Sequence, residues 1–184
     1  NPELKSNDES IESWARKERY KLLSEILIES NSNVILTGHH KNDQVETILK
    51  NISEKTGLFG LGGMKSINKN LIRPLLPFTK LELMRIIDKY KIPYVKDSSN
   101  NELRFRRNFI RKKVLGPWIL DDNKIIDSIA ESGKNFSDYQ QSLIYFINEF
   151  VRKKLSKLSN GQVLIKKKHI KKLPLLARVM VFQV

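Results

Sequence analysis

Val34-Ile35-Leu36-Thr37-Gly38-His39-His40-Lys41-Asn42-Asp43-Gln44-Val45-Glu46-Thr47 is the stretch on which the fold turns. It opens with a short apolar, β-branched run that ends at Gly38, the pattern of a strand buried in a parallel sheet. Val45, Ile48, Leu49 and Ile52 then recur at helical spacing, which predicts a helix over about 42–53. A strand therefore delivers its carboxyl end into a Gly-His-His turn, and a helix begins there. In open α/β sheets ligands collect at that edge, and the helix N-terminus favours anions such as phosphates. His40, Asp43 and Thr47 fall on one helix face within about 60° at 100° per residue, with Glu46 further round. An imidazole and carboxylates beside a phosphate site suit Mg²⁺ placement or the binding of a substrate amine. A helix cap by Asn42 or Asp43 with solvated polar neighbours accounts for the same spacing.

Outward from this stretch, helix and strand signals alternate. Residues 10–29 read as a helix with Ser10 as N-cap and Trp14, Leu22, Leu23, Ile26 and Leu27 at its apolar positions. Residues 57–63 hold Gly57, Gly60, Gly62 and Gly63, a flexible loop that lets a backbone approach a nucleotide base or simply connects two elements. No Gly-Lys-Ser/Thr follows it, so it is not a Walker loop. Leu71-Ile72 reads as a strand stopped by Pro74, and residues 79–90 as a third helix before Pro93. This alternation predicts an α/β layer with crossover helices. From residue 103 onward the pattern turns mainly helical, over about 103–115 and 123–156 with a break near Gly133. A short strand follows at Gln162–Ile165, and a last helix closes the chain.

The composition narrows the chemistry. With no cysteine among 184 residues, disulfides, cysteine-ligated metals and thiol nucleophiles are excluded from this stretch. No apolar run reaches the roughly 18 residues that span a bilayer, and no signal-peptide pattern opens the chain. The net charge of +14 favours polyanionic partners or anionic surfaces, although lysines also serve solubility. That charge is uneven. Residues 1–100 carry 16 basic and 13 acidic side chains, and residues 101–184 carry 18 and 7. The break predicts two parts, an α/β domain over 1–100 and a basic helical part over 101–184.

A second constellation lies at that break. Asp97-Ser98-Ser99-Asn100 leads into Arg104-Phe105-Arg106-Arg107-Asn108-Phe109-Ile110-Arg111. On a helix Arg104, Arg107 and Arg111 share a strip about 60° wide, opposite Phe109, Ile110 and Val114. Such a strip presents several guanidinium forks to phosphates, or is an exposed basic face and no more. Lys166-Lys167-Lys168-His169-Ile170-Lys171-Lys172 is a weaker basic signal.

In this order, Ala15-Arg16-Lys17-Glu18-Arg19-Tyr20, the Thr37–Thr47 segment, Gly57/Gly60/Leu61/Met64, Arg73-Pro74-Leu75-Leu76, Asp97–Asn100 and Arg107–Arg111 resemble the tRNA(Ile)-lysidine synthetase family of the N-type ATP-pyrophosphatase (PP-loop) group. The resemblance covers about residues 14–118. It implies a partial Rossmann-like parallel sheet followed by a mainly helical domain that begins a tRNA-binding region. Asn42 replaces an aspartate frequent in the family, and Glu54-Lys55 an arginine-glycine pair. The family's Ser-Gly-Gly-x-Asp-Ser phosphate loop is expected upstream of Asn1. The chain starts without methionine and ends in an apolar, helix-like run, so it reads as incomplete and is expected to be inactive alone.

The implied activity is ligation of L-lysine to C2 of the wobble cytidine of a minor isoleucine tRNA, through an adenylated cytidine, with ATP and Mg²⁺. The resemblance implies His40, Asp43 and Glu46 as catalytic residues, Asp43 as a metal ligand, and Gly38, His39 and Arg73 as nucleotide-binding residues. It implies Arg104, Arg107 and Arg111 as tRNA or phosphate contacts. A cytoplasmic setting is expected, and a homodimer stays open. The competing readings are a tRNA-thiolating enzyme of the same group, disfavoured by the lack of cysteine, a non-catalytic basic RNA-binding module, and a nucleotide-binding regulatory domain.

Overall fold

The computed structural model describes residues 11–95, 106–157 and 163–182. The chain divides into two compact units, Asn1–Gly133 and Lys134–Val184. The first holds α1 (Ile11–Glu29), β1 (Ile35–Leu36), α2 (Lys41–Ser53), α3 (Leu58–Leu61), β2 (Ile67–Asn68), β3 (Leu71–Ile72) and α4 (Lys80–Tyr90). It continues with α5 (Arg106–Phe109), a π-helical segment (Ile110–Leu115), α6 (Gly116–Asp121) and the start of α7 (Ile125–Lys154). The second unit holds the rest of α7, the hairpin β4 (Leu155–Lys157) and β5 (Val163–Ile165), α8 (Lys167–Lys171) and α9 (Leu175–Val181). The helix predicted over 10–29 is present, while its predicted cap Ser10 lies outside the described residues.

The first unit's sheet has the order β1-β3-β2. β1 and β3 run parallel with Ile35 opposite Leu71, and α2 lies in the crossover between them. β2 pairs antiparallel with β3 through the tight Lys69-Asn70 turn, with Lys69 in the left-handed region at φ 54°. The sheet is therefore mixed, not wholly parallel as expected. Ile67-Asn68 has no apolar run to announce a strand; the turn chemistry places it.

The compact unit also reaches beyond the predicted boundary near residue 100. Val45 of α2, Ile110 and Leu115 of the π-helical segment, and Ile125 and Ile126 of α7 form one buried cluster. Charge marks what faces water, and this apolar cluster decides what packs together. The π-helix also explains which residues it buries. Its i→i+5 bonding aligns residues five apart, so Ile110 and Leu115 go inward together. Phe109 and Val114, expected on the apolar face of an α-helix, are left largely exposed.

α7 runs through Gly133 without the expected break. A Cβ there would meet Ile48 Cδ1 of α2, and that side chain would have to shift to make room. The glycine loop is likewise fastened. Gln44 Nε2 donates to the carbonyls of Gly62 and Met64 (both 3.1 Å), and Met64 N donates back to Gln44 Oε1 (2.7 Å). Asn51 Nδ2 donates to Gly60 O at 2.7 Å.

Gly63 has φ +66°, and a Cβ there would come within 2.7 Å of the Gln44 amide. Gly63→Ala is expected to destabilise the chain by about 1–2 kcal/mol from the left-handed backbone alone, plus the cost of displacing Gln44. A urea melt that places the variant's midpoint at or above the parent's would contradict the clamp.

Candidate active site

β1 hands the chain to Thr37-Gly38-His39-His40, and α2 begins at Lys41. The N-cap is His40, not Asn42 or Asp43. Its Nδ1 accepts from Asp43 N at 3.4 Å, while Asp43 Oδ2 accepts from His40 N at 2.9 Å, a reciprocal capping box. Each neighbouring side chain anchors another element. Lys41 Nζ pairs with Asp127 of α7 at 2.6 Å. Asn42 Oδ1 accepts from Lys80 N, the first residue of α4, at 2.8 Å.

One helical turn on, Glu46 is buried, its side chain only 2% exposed. Arg111 holds it with two bonds, Nε to Oε1 (2.6 Å) and Nη2 to Oε2 (3.0 Å), and Arg107 Nε donates to Oε2 at 3.0 Å. Arg107 Nη2 also donates to Asp43 O at 3.2 Å, and its nearest approach to the Asp43 carboxylate is 3.6 Å. The Glu46 hydrogen bond makes the Arg111 guanidinium still harder to deprotonate. The structure thus brings His40, Asp43, Glu46, Arg107 and Arg111 into one network. Arg104 and Asp97–Asn100 lie outside the described residues.

Beside this network is a cavity of about 400 Å³ lined by Thr37, Gly38, His39, Asp43 and Arg107, and by Arg19, Tyr20 and Leu23 of α1. Among the predicted site residues, His40, Glu46, Arg73 and Arg111 do not line it. His39 Nδ1 lies 2.9 Å from Thr37 Oγ1. Burial first, and then the positive fields of Arg107, Arg73 and Arg16, push its imidazole below the usual range against the pull of Asp43. Arg73 is 5% exposed, donates through Nη1 to Lys65 O (2.7 Å), and leaves Nε without a partner. The α1 contribution is what sequence reasoning missed. Its signal lay in Arg16 and Tyr20 four residues apart, where the guanidinium sits 5.2 Å from the ring centre.

Arg19, Arg107, the Thr37 hydroxyl and open space at the Cβ position of Gly38 make the cavity fit a phosphate-bearing ligand. Toward a magnesium ion the described lining offers a single carboxylate. Asp43 is the one carboxylate among the described lining residues, and two guanidinium nitrogens lie 3.6 and 3.8 Å from its oxygen. No group of three or more His, Asp or Glu that could hold a metal occurs among the described residues.

A family described as the PP-loop domain matches residues 1–117. The chain belongs to the PP-loop family. It is 46% identical over 111 residues to the tRNA(Ile)-lysidine synthase of Thermosipho africanus, covering 60% of this chain and 26% of that protein. It is 34% identical over 161 residues to that of Francisella philomiragia, covering 85% and 39%, and 42% identical over 137 residues to that of Pseudothermotoga lettingae, covering 73% and 31%. The resemblance read from the ordered motifs is thereby borne out. The chain spans about a quarter to two-fifths of the length of these relatives. Among the described residues no helix is long and apolar enough to cross a membrane.

Two outcomes follow from the network. A double-mutant cycle of Glu46→Gln and Arg111→Met should return a coupling of about 1–3 kcal/mol in chemical denaturation, because the carboxylate is buried while Arg111 stays partly solvated. A coupling indistinguishable from zero would mean that the pair holds nothing together. For His40, burial lowers the folded pKa below 6.5 despite the Asp43 and Glu46 carboxylates. The unfolded chain then binds the proton more readily, so this stabilisation is complete above about pH 6.5 and is lost as pH falls through the folded value. The urea midpoint should drop between pH 7 and 5.5, and less so in His40→Asn, which keeps a cap without titrating. An identical drop in both proteins would remove His40 as a cause.

Proposed function

We propose that this chain is part of an ATP-using tRNA-modifying enzyme that ligates L-lysine to C2 of the wobble cytidine of a minor isoleucine tRNA, through an adenylated cytidine, in the cytoplasm. The observation that carries the reading is the Arg19–His39–Asp43–Arg107 cavity at the carboxyl end of β1, in a chain 34–46% identical to tRNA(Ile)-lysidine synthases. Adenylation transfers AMP from ATP to the cytidine C2 oxygen and releases pyrophosphate. The lysine ε-amine then attacks C2, the C2–O bond breaks, AMP leaves, and the amine gives up its proton.

Four of the lining residues have a part in this scheme. Arg107, held by Glu46 through Nε, keeps guanidinium donors near the cavity to neutralise phosphate charge as it develops. Asp43 offers a carboxylate to orient the lysine amine and take its proton. Burial disfavours the charged form of the His39 imidazole, which suits it to serve as a hydrogen-bonding group. His40 and Glu46 act through others, His40 by fixing the start of α2 and Glu46 by aiming the two arginines. Asp43 would offer one carboxylate to a magnesium ion carried by the ATP phosphates, which would help neutralise their charge. Gly38 and Arg73 complete the nucleotide side, and Arg104 is assigned to the tRNA backbone.

In the complete enzyme Asp43→Asn should slow lysidine formation by about two orders of magnitude while leaving tRNA affinity within about twofold, since the change removes charge and keeps shape. Unchanged turnover at saturating ATP, lysine and tRNA would refute the role. Pyrophosphate release measured without lysine separates a defect in adenylation from one in amine attack.

A further inference from the structure

Pro117 follows the π-helical segment closely, inside continuous helix, as the second residue of α6. A proline at that place gives no N–H to the carbonyl of Lys113, and in an α-helix its ring would press on that same oxygen. The turn before it is opened. Gly116 N donates five residues back, to Arg111 O, where an α-helix would bond four residues back. The sequence cause of the π turn is thus local and legible.

The wider turn decides which residue follows the arginines against α2. On a regular helix Arg107, Ile110, Arg111 and Val114 would share one face, and Leu115 would point about 140° away from Ile110. In the structure Leu115 is 2% exposed beside Ile110, and Val114 is left 37% exposed. Two anchors meet within these few residues. Upstream, Arg107 and Arg111 hold Glu46 of α2. Downstream, Leu115, Ile125 and Ile126 are buried with Val45, the neighbour of Glu46, and Ile119 of α6 packs against them. With four-residue bonding throughout, keeping Leu115 inward would turn the arginines by about 100°, the angle of one residue. The extra residue of the π turn satisfies both anchors at once.

We propose that Pro117 is a positioning residue for the cavity: by forcing the π turn, it lets Leu115 close the core while Arg111 holds Glu46 and Arg107 stays at the cavity edge. Pro117 is not among the described lining residues and acts through Arg107. Its effect on turnover rests on the lysidine-forming reading above; its effect on the Glu46–Arg111 pair does not. Of the two anchors the downstream one joins more apolar side chains, so loss of the proline is resolved by turning the arginines.

The test is Pro117→Ala, which removes the ring and restores the N–H. In the 184-residue chain, a double-mutant cycle of Glu46→Gln and Arg111→Met is run by urea unfolding with and without this substitution. The coupling, read as a ratio of unfolding constants, should fall by about fivefold or more when Pro117 is replaced. In the complete enzyme Pro117→Ala should lower kcat by about tenfold or more while tRNA affinity stays within about twofold. Deleting Lys113, an exposed residue of the π turn, from the same variant sets Ile110 and Leu115 four residues apart. That deletion should bring coupling and kcat back to within about threefold of the parent. A proline that only stiffens the chain would not be replaced by shortening it. An unchanged coupling in Pro117→Ala, with Val114 taking the place of Leu115 or the π turn persisting, would overturn the proposal. A loss that the deletion does not rescue would overturn it too. If Pro117→Ala alone does not fold, the deletion variant decides: folded with restored coupling it supports the proposal, and unfolded it overturns it. Coupling lost and rescued in a complete enzyme that forms no lysidine sinks the catalytic reading alone. Unchanged coupling beside normal lysidine formation sinks the positioning role alone.

Discussion

A carboxylate that leaves water must be met, and the Glu46 side chain, almost wholly buried, is met by three guanidinium N–H donors from Arg107 and Arg111. Desolvating such a charge costs several kcal/mol unless partners of good geometry compensate. The requirement fixes where the segment from residue 106 onward lies against α2. With it are fixed the burial of Ile110 and Leu115 against Val45 and the position of Arg107 at the cavity edge. A lysine at 111 would supply charge without the planar fork that gives each oxygen of Glu46 its own donor.

α2 concentrates these obligations in a few consecutive side chains. His40 and Asp43 cap each other, Lys41 reaches α7, Asn42 caps α4, Gln44 clamps the glycine loop, and Glu46 receives the arginines. The faces of the helix are therefore divided among four neighbours, and the capped end is the one that meets the cavity. The first residues of α2 are thus structural in one direction and face the cavity in the other. Asp43 shows this most plainly, with Oδ2 bonded to the His40 amide and the carboxylate lining the cavity.

Much of this was legible in the sequence because it follows local rules. β1, α2, α4 and β3 came from apolar periodicity and proline stops, and their bounds agree with the structure to within a residue. β2 was not legible, since two residues with no apolar pattern are paired only by a turn. The boundary near residue 100 followed charge, which reports on solvent, while packing carried the first unit on to Gly133. Gly133 read as a break because glycine usually weakens helices, yet the helix runs through it with Ile48 Cδ1 of α2 against that position. At the site, His40, Asp43, Glu46, Arg107 and Arg111, singled out by type and order, are brought into one network. Yet the division between Asp43 facing the cavity and Glu46 turned away depended on partners more than sixty positions downstream.

That separation has a consequence in time. Glu46 and Arg111 are 65 residues apart in the chain. During synthesis at about 5–20 residues per second, α2 leaves the ribosome roughly 3–13 s before its guanidinium partner does. In that interval the helix has its own cap and its own apolar face, while the guanidinium donors that meet Glu46 in the fold have yet to be made. Burial of the Glu46 carboxylate with its full set of donors is thus a late event on the ribosome, set by the distance along the chain between the acid and its partners.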